Sequence, residues 1–304
     1  MKTYPRLFRE LFCSPLMLHA PARAAFETEL LRRMYGDTAL SAIPVAPRAD
    51  LGDSGRPKGE WIDYFKDIEA TEKKMRLERI YERTGSVAVV KIDGAIGKRL
   101  TQMEMDCYGG VDLDDTDQVL SAALTDPRVQ TVVLDIHSPG GSVIGVHETY
   151  TRIMALAETK EVHAFVNAMA CSAGYYIASA ADHIAAAPSA IVGSIGVYMA
   201  MLDASRWYEN EGLKINVMQG GKWKTMGAEW KPLTDEERAK LQAGVDALFT
   251  QFRAAVNEKR PQVAASTMEG QWMTAQEGLD LGLVDELTGA TLDEYVTGLL
   301  MRPL

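Results

Sequence analysis

The chain is poor in the residues that staple small folds or gather metals. Its 304 residues include three cysteines, Cys13, Cys107 and Cys171, with no repeated spacing between them. An odd, unpatterned set gives no disulfide framework, fits a reducing compartment and matches no zinc-site spacing. Long apolar runs are missing as well. The most apolar stretch, Ile177 to Ala190, is broken by Asp182, His183 and Pro188, so no segment is expected to span a bilayer. The N-terminus carries basic residues and ends in small ones, but Arg9, Glu10 and Pro15 interrupt any apolar core, which argues against export. Basic residues are outnumbered by acidic ones, 32 to 42, for a net charge of −10. That balance disfavours nucleic acid and anionic membrane as partners. Internal repeats and low-complexity tracts are absent, and no cofactor or metal is expected.

What is present reads as an α/β chain with a helical N-terminal extension. Residues 1–43 suggest short helices, with apolar residues at helical spacing from Ala22 to Tyr35. Residues 44–60 are rich in Pro, Gly and charge and read as a linker. A charged helix is predicted from Ile62 to Thr84; together these form a linker-and-helix unit over 44–85. From Ser86 onward, strands alternate with helices. The predicted strands include SVAVVKIDGAI, VQTVVLDIHS, VHAFVNAMA, HIAAAP, IVGSIGVYMAM and LKINVMQ. Residues 98–112 show no period and are predicted as a loop. The long helix from Thr234 to Lys259 opens on the capping-box pattern Thr234-Asp235-Glu236-Glu237. Such alternation implies a mostly parallel sheet flanked by helices.

Four segments carry candidate chemistry. Ser138-Pro139-Gly140-Gly141 ends a predicted strand, where ligands bind in open α/β sheets. Its paired glycines can turn a free N–H towards an oxyanion, although a plain strand-to-helix turn has the same composition. Ser172, within Ala170-Cys171-Ser172-Ala173-Gly174, lies between a strand and a helix. A serine there is most often a helix cap. Yet small neighbours leave its hydroxyl open, and the Ala173 N–H is available to an acyl oxyanion. A serine nucleophile needs a base. His183 would lie about 16 Å away along a helix, too far to serve; His137, beside the SPGG turn, is the better histidine candidate. A desolvated lysine can replace histidine, because burial favours its neutral form. The loop Gln219 to Gly227 carries two lysines, Lys222 and Lys224, around Trp223. Finally, Ser194 within Gly193-Ser194-Ile195-Gly196 can orient such an amine, or merely mark a bend in a strand.

SPGG, the Ser-Ala-Gly-Tyr-Tyr-Ile-Ala segment, GSIGV and the Gly-Lys-Trp-Lys loop followed by Pro-Leu-Thr-Asp-Glu-Glu-Arg occur in one order. In that order they resemble the signal peptide peptidase A family, and the likeness runs from about Ser86 to Leu287. The resemblance implies the Clp/crotonase fold over 86–290, with 291–304 as a C-terminal tail. It implies a Ser–Lys dyad in which Ser172 is the nucleophile, Lys224 the general base and Ser194 its orienting serine. The Gly140 and Ala173 amides would form the oxyanion hole, with Gly141 beside the substrate and as the fallback donor. His137 and Ala173 depart from the family's usual Asn or Thr and Gly. Ser14-Pro15-Leu16-Met17-Leu18-His19-Ala20-Pro21-Ala22-Arg23 and the segment from Asn167 to Gly174 look more like the lambda-type phage head maturation proteases. That branch implies a protein substrate (scaffold, portal, capsid or the chain itself), a homo-oligomer and a site of action inside the assembling procapsid in the host cytoplasm. A soluble bacterial signal-peptide peptidase is the alternative, and a crotonase-like acyl-CoA enzyme a more distant one.

Overall fold

A computed structural model describes residues 16–18, 70–71, 73–100, 104–105 and 109–302. The extension and linker expected over 1–60 otherwise lie outside the described residues. After helical residues 73–80 come strands β2 (Tyr81–Thr84), β3 (Val87–Asp93), β4 (Ala95–Gly97) and β5 (Gly110–Asp112). Helix α1 (Leu113–Thr125) leads to β6 (Thr131–Ser138) and β7 (Gly140–Ser142). Next come α2 (Val146–Ala157), β8 (Glu161–Cys171), α3 (Ala173–Ala178), β9 (His183–Ala186) and β10 (Ile191–Gly193). The chain closes with α4 (Ser205–Asn210), α5 (Asp235–Lys259), β11 (Trp272–Thr274), α6 (Ala275–Asp280), β12 (Glu286–Leu287) and α7 (Leu292–Leu300). A strand near the N-terminus, β1 (Leu16–Leu18), completes the set.

The main sheet runs β11-β10-β8-β6-β3-β2, with β9 also on β8 and β12 on β9. Its interior pairs β3–β6, β6–β8, β8–β9 and β8–β10 are parallel, and β2 and β11 join the two edges antiparallel. This is the mostly parallel α/β sheet that the alternating pattern predicts, in the Clp/crotonase-like arrangement that the family resemblance implies. Side-chain alternation splits each interior strand between two faces. Ala88, Val90, Val132, Leu134, Ala164 and Val166 point into the main core beneath α1, α2 and α3. Val87, Val89, Val133, Phe165 and Ala185 point the other way and are covered by Tyr295, Val296 and Leu299 of α7. The segment expected as a tail over 291–304 therefore contains the helix that covers the sheet's second face.

A smaller sheet, β1-β7-β4-β5, lies over the carboxyl end of β6. Its close packing explains the paired glycines. Gly140 has φ +101°, and a Cβ on Gly141 would lie 2.0 Å from the Ile96 carbonyl oxygen. Three expectations change. The charged helix stops at residue 80 and the chain turns into β2, because Tyr81–Thr84 finds β3 as an antiparallel partner. The loop over 98–112 ends in β5, which is too short to show a period in sequence. LKINVMQ forms no strand: Leu213, Ile215, Val217 and Met218 are exposed, with no neighbouring strand among the described residues to pair with. The long helix α5 does start on its capping box, with Thr234 Oγ accepting from the Glu237 N–H and Glu237 accepting from the Thr234 N–H. Only its second half, through Phe252, Ala255 and Val256, is anchored in the apolar core.

Candidate active site

Ser172 follows directly on β8 and occupies the N-cap position of α3. It does not act as a cap, for its side chain makes no capping hydrogen bond. Its backbone sits at φ 54°, ψ −121°. That is a costly region for an L-residue, one that persists only where the surroundings enforce it and that clusters at functional sites. A serine on a strained strand-to-helix turn is the geometry of a nucleophile elbow. Among the described residues, Arg99 and Ser194 are the other non-glycine residues with positive φ. Two of these three were candidates from sequence.

Several contacts hold Ser172 in this state. Its N–H donates to the Gly193 carbonyl at 2.8 Å, and its carbonyl accepts from the Tyr176 N–H at 2.8 Å. Gly174 packs so tightly on Ser138 that a Cβ there would lie 3.0 Å from the Ser138 Cβ and carbonyl oxygen. Tyr176 stacks on Phe252 of α5, and its hydroxyl meets His147 Nδ1 at 2.9 Å. Arg260 closes α3 from below, donating to the Ser179 and Ala181 carbonyls and to Asp285. Sequence reading assigned nothing to Arg260, because its acceptors are backbone carbonyls far away in the chain. Ser172 itself is 1% exposed, more enclosed than its small neighbours suggested.

The other candidates fall into two groups. Gly140, Gly141, Ala173 and Ser194 gather around Ser172. Ser138 pairs with Ala170 across β6 and β8, and Gly193 with Cys171 across β10 and β8. These registers bring the SPGG turn and the GSIG turn to the same end of the sheet. Ala173 is the first residue of α3, so its N–H has no acceptor within the helix. The Gly140 N–H donates to Ser138 Oγ at 3.1 Å, and Ser138 Oγ in turn donates to the Gly94 carbonyl at 2.6 Å. The Ser194 N–H donates to the Gln271 carbonyl at 2.7 Å.

Lys224 belongs to the second group. It is exposed on the Gln219–Gly227 loop, and no hydrogen bond joins it to Ser172 among the described residues. Lys222 is turned away to Glu236 and the Trp223 ring. His137, the histidine alternative, pairs with Asp93 at 3.1 Å with its side chain 60% exposed; strand alternation sends it away from buried Ser138. Beside the nucleophile candidate, burial pushes the Cys171 thiol up to about 12, which keeps it protonated and unreactive. Among the described residues no cluster of His, Cys, Asp and Glu is arranged to hold a metal ion, and no helix is long and apolar enough to cross a membrane.

Residues 61–214 match the family of ClpP-like SDH-type serine proteinases, and residues 154–297 match peptidase family S49. The capsid assembly protease C of Escherichia phage lambda is 30% identical over 96% of this chain and 64% of its own length. The head-tail preconnector protein of Enterobacteria phage P21 is 30% identical over 71% of this chain and 43% of its own. The chain thus spans less than two thirds of either relative. Among solved structures, a membrane-bound stomatin-specific protease overlaps 71% of this chain and 85% of its own at 16% identity, with a TM-score of 0.40. The chain belongs to the ClpP-like SDH-type serine proteinases and carries the peptidase family S49 signature.

Proposed function

We propose that this serine proteinase is an endopeptidase of phage procapsid maturation, cutting scaffold, portal or capsid protein, or its own chain, with Ser172 as nucleophile and Lys224 as general base. One observation carries the assignment of Ser172: it holds a strained backbone at a helix start without capping that helix. The hydroxyl is thus positioned at a cost and left unused by the fold. In the proposed reaction Lys224 takes the hydroxyl proton and the oxygen attacks a peptide carbonyl. The Ala173 N–H and an N–H of the SPGG turn then stabilise the oxyanion. The leaving amine collects the proton, and water hydrolyses the resulting ester.

Because Lys224 is exposed in this structure, the reading requires the Gln219–Gly227 loop to fold over the site, where Ser194 would accept from the amine. A lysine base needs such a desolvated place to keep its lone pair free. Leu202, Trp207, Leu213, Ile215, Val217 and Met218 of the same region are exposed, Met218 at 94%. A cluster of this kind is unusual on an isolated domain. It supports a homo-oligomer whose packing would cover the region and seat the loop. The phage setting is supported by the two phage relatives.

Co-expression with a scaffold or portal protein tests the proposal. The wild type is expected to process it, and Ser172→Ala and Lys224→Met are expected to leave it intact. Undiminished processing by Ser172→Ala would overturn the assignment.

A further inference from the structure

The smaller sheet contains a strand from a distant part of the chain. β1 pairs antiparallel with β7, Leu16 opposite Ser142, Met17 opposite Gly141 and Leu18 opposite Gly140. β7 begins at the SPGG turn, and its other edge is taken by β4. The edge occupied by β1 is therefore the free edge of the strand that leaves the candidate oxyanion turn. Pairing an extended segment with a sheet edge is a general way to bind a polypeptide, since main-chain groups supply affinity whatever the sequence. The direction also matters. β7 runs away from the turn, so the antiparallel β1 runs towards it, and its last residue, Leu18, lies opposite Gly140. Of the three carbonyls in β1, that of Leu18 is the one delivered to the end of the sheet that holds Ser172.

We infer that Leu16–Leu18 is a tethered substrate strand, and that the chain cuts itself between Leu18 and His19. This rests on the reading of Ser172 as nucleophile and names a first substrate for it. The Ser172 oxygen bonds to the Leu18 carbonyl carbon and gives up its proton to the base. The bond to the His19 nitrogen breaks and that nitrogen takes the proton. Water then splits the ester, releasing the Leu18 carboxylate and restoring the hydroxyl. Until the strand leaves, β7 has no free edge for another polypeptide.

Intact-mass measurement and N-terminal sequencing of the incubated full chain test this. The wild type is expected to lose residues 1–18 and begin at His19, at a rate independent of protein concentration once the oligomer is fully formed. Ser172→Ala is expected to retain them. Two further variants test the pairing without touching Leu18. Consecutive N–H groups of a strand point to opposite sides, so either Leu16→Pro or Met17→Pro removes a donor facing β7. One of the two should slow the cut about tenfold, with labelling of Ser172 by a fluorophosphonate as fast as in the wild type or faster. A wild type that labels at Ser172 but keeps residues 1–18, or is cut only elsewhere, overturns the inference alone. So do two proline variants that both cut at the wild-type rate. A wild type that fails to label at Ser172 overturns the proposed nucleophile, and this inference with it.

Discussion

If the backbone at Ser172 is strained, glycine should be unusually well tolerated there. Ser172→Ala keeps the Cβ and with it the penalty of φ 54°, ψ −121°, about 1–3 kcal/mol for a residue held in such a region. Ser172→Gly releases that strain. Against the release stand two costs. The greater freedom of glycine in the unfolded chain costs about 0.5–1 kcal/mol, and the loss of one buried carbon costs about 0.8 kcal/mol. At an unstrained buried position only the costs operate, and glycine would be less stable than alanine by about 1.5 kcal/mol. Here they are offset, and the glycine variant is expected to match the alanine variant to within about 0.5 kcal/mol or exceed it by up to about 1.5 kcal/mol. Both variants lack the nucleophile, so neither digests itself during measurement. Guanidinium unfolding followed by circular dichroism, compared at equal m-values, reads the difference. In thermal unfolding the two outcomes are separated by several degrees, at about 2–4 °C per kcal/mol for a domain of this size. A glycine variant less stable than the alanine variant by about 1.5 kcal/mol would refute the strain and remove the main support for Ser172.

Four further outcomes are expected. Arg260 is 2% exposed and bonded to two carbonyls and Asp285, so Arg260→Met should lower stability by about 3 kcal/mol, read as a shift in denaturant midpoint; a change under about 1 kcal/mol would contradict the clamp. Gly141→Ala should cost about 3 kcal/mol, because its Cβ would collide with Ile96 backbone, and a stable variant would mean that β7 and β4 separate easily. Burial holds the His163 imidazole below its ordinary 6.5, opposed by Glu161. The unfolded chain then binds the proton first, so stability should be flat above that pH and fall below it until the folded ring protonates, by at most about 1.4 kcal/mol per pH unit; His163→Gln should flatten the acid side of a urea-midpoint profile, and an unchanged slope would exclude His163 as its source. Cys171 should resist iodoacetamide in the native state while the adjacent Ser172 accepts a fluorophosphonate; peptide mapping that finds rapid alkylation of Cys171 would show that the site is open.

Elements whose signal is local were legible in the sequence. The period-two and β-branched runs gave β3, β6 and β8, and the Thr234–Glu237 capping box located the start of α5. Ser172, Gly140 and Ala173 could be placed at one sheet end because each follows a strand whose direction the alternating pattern sets. Features decided by partners distant in sequence were not legible. Tyr81–Thr84 carries enough charge to look helical and becomes a strand only because β3 offers an edge. LKINVMQ alternates like a strand but has no neighbour among the described residues to pair with. The relation of Lys224 to Ser172 depends on how an exposed loop is seated, which residue spacing does not encode. The strain at Ser172 was equally invisible, since a capping serine and a strained one have the same local sequence.

The helix that covers the second face of the main sheet has a consequence for the order of folding. His163 on β8 and Tyr295 on α7 are bonded at 2.8 Å although they are 132 positions apart. A ribosome releases β3, β6 and β8 long before α7 emerges, and closing so wide a separation slows the final contact. During that interval Val87, Val89, Val133 and Phe165 form an apolar strip with nothing over it. The nascent chain is then at its most prone to aggregate and to bind a chaperone. Its escape from both depends on the nine residues of α7, so a lesion there should reduce the yield of folded protein well before it alters the activity of the molecules that do fold.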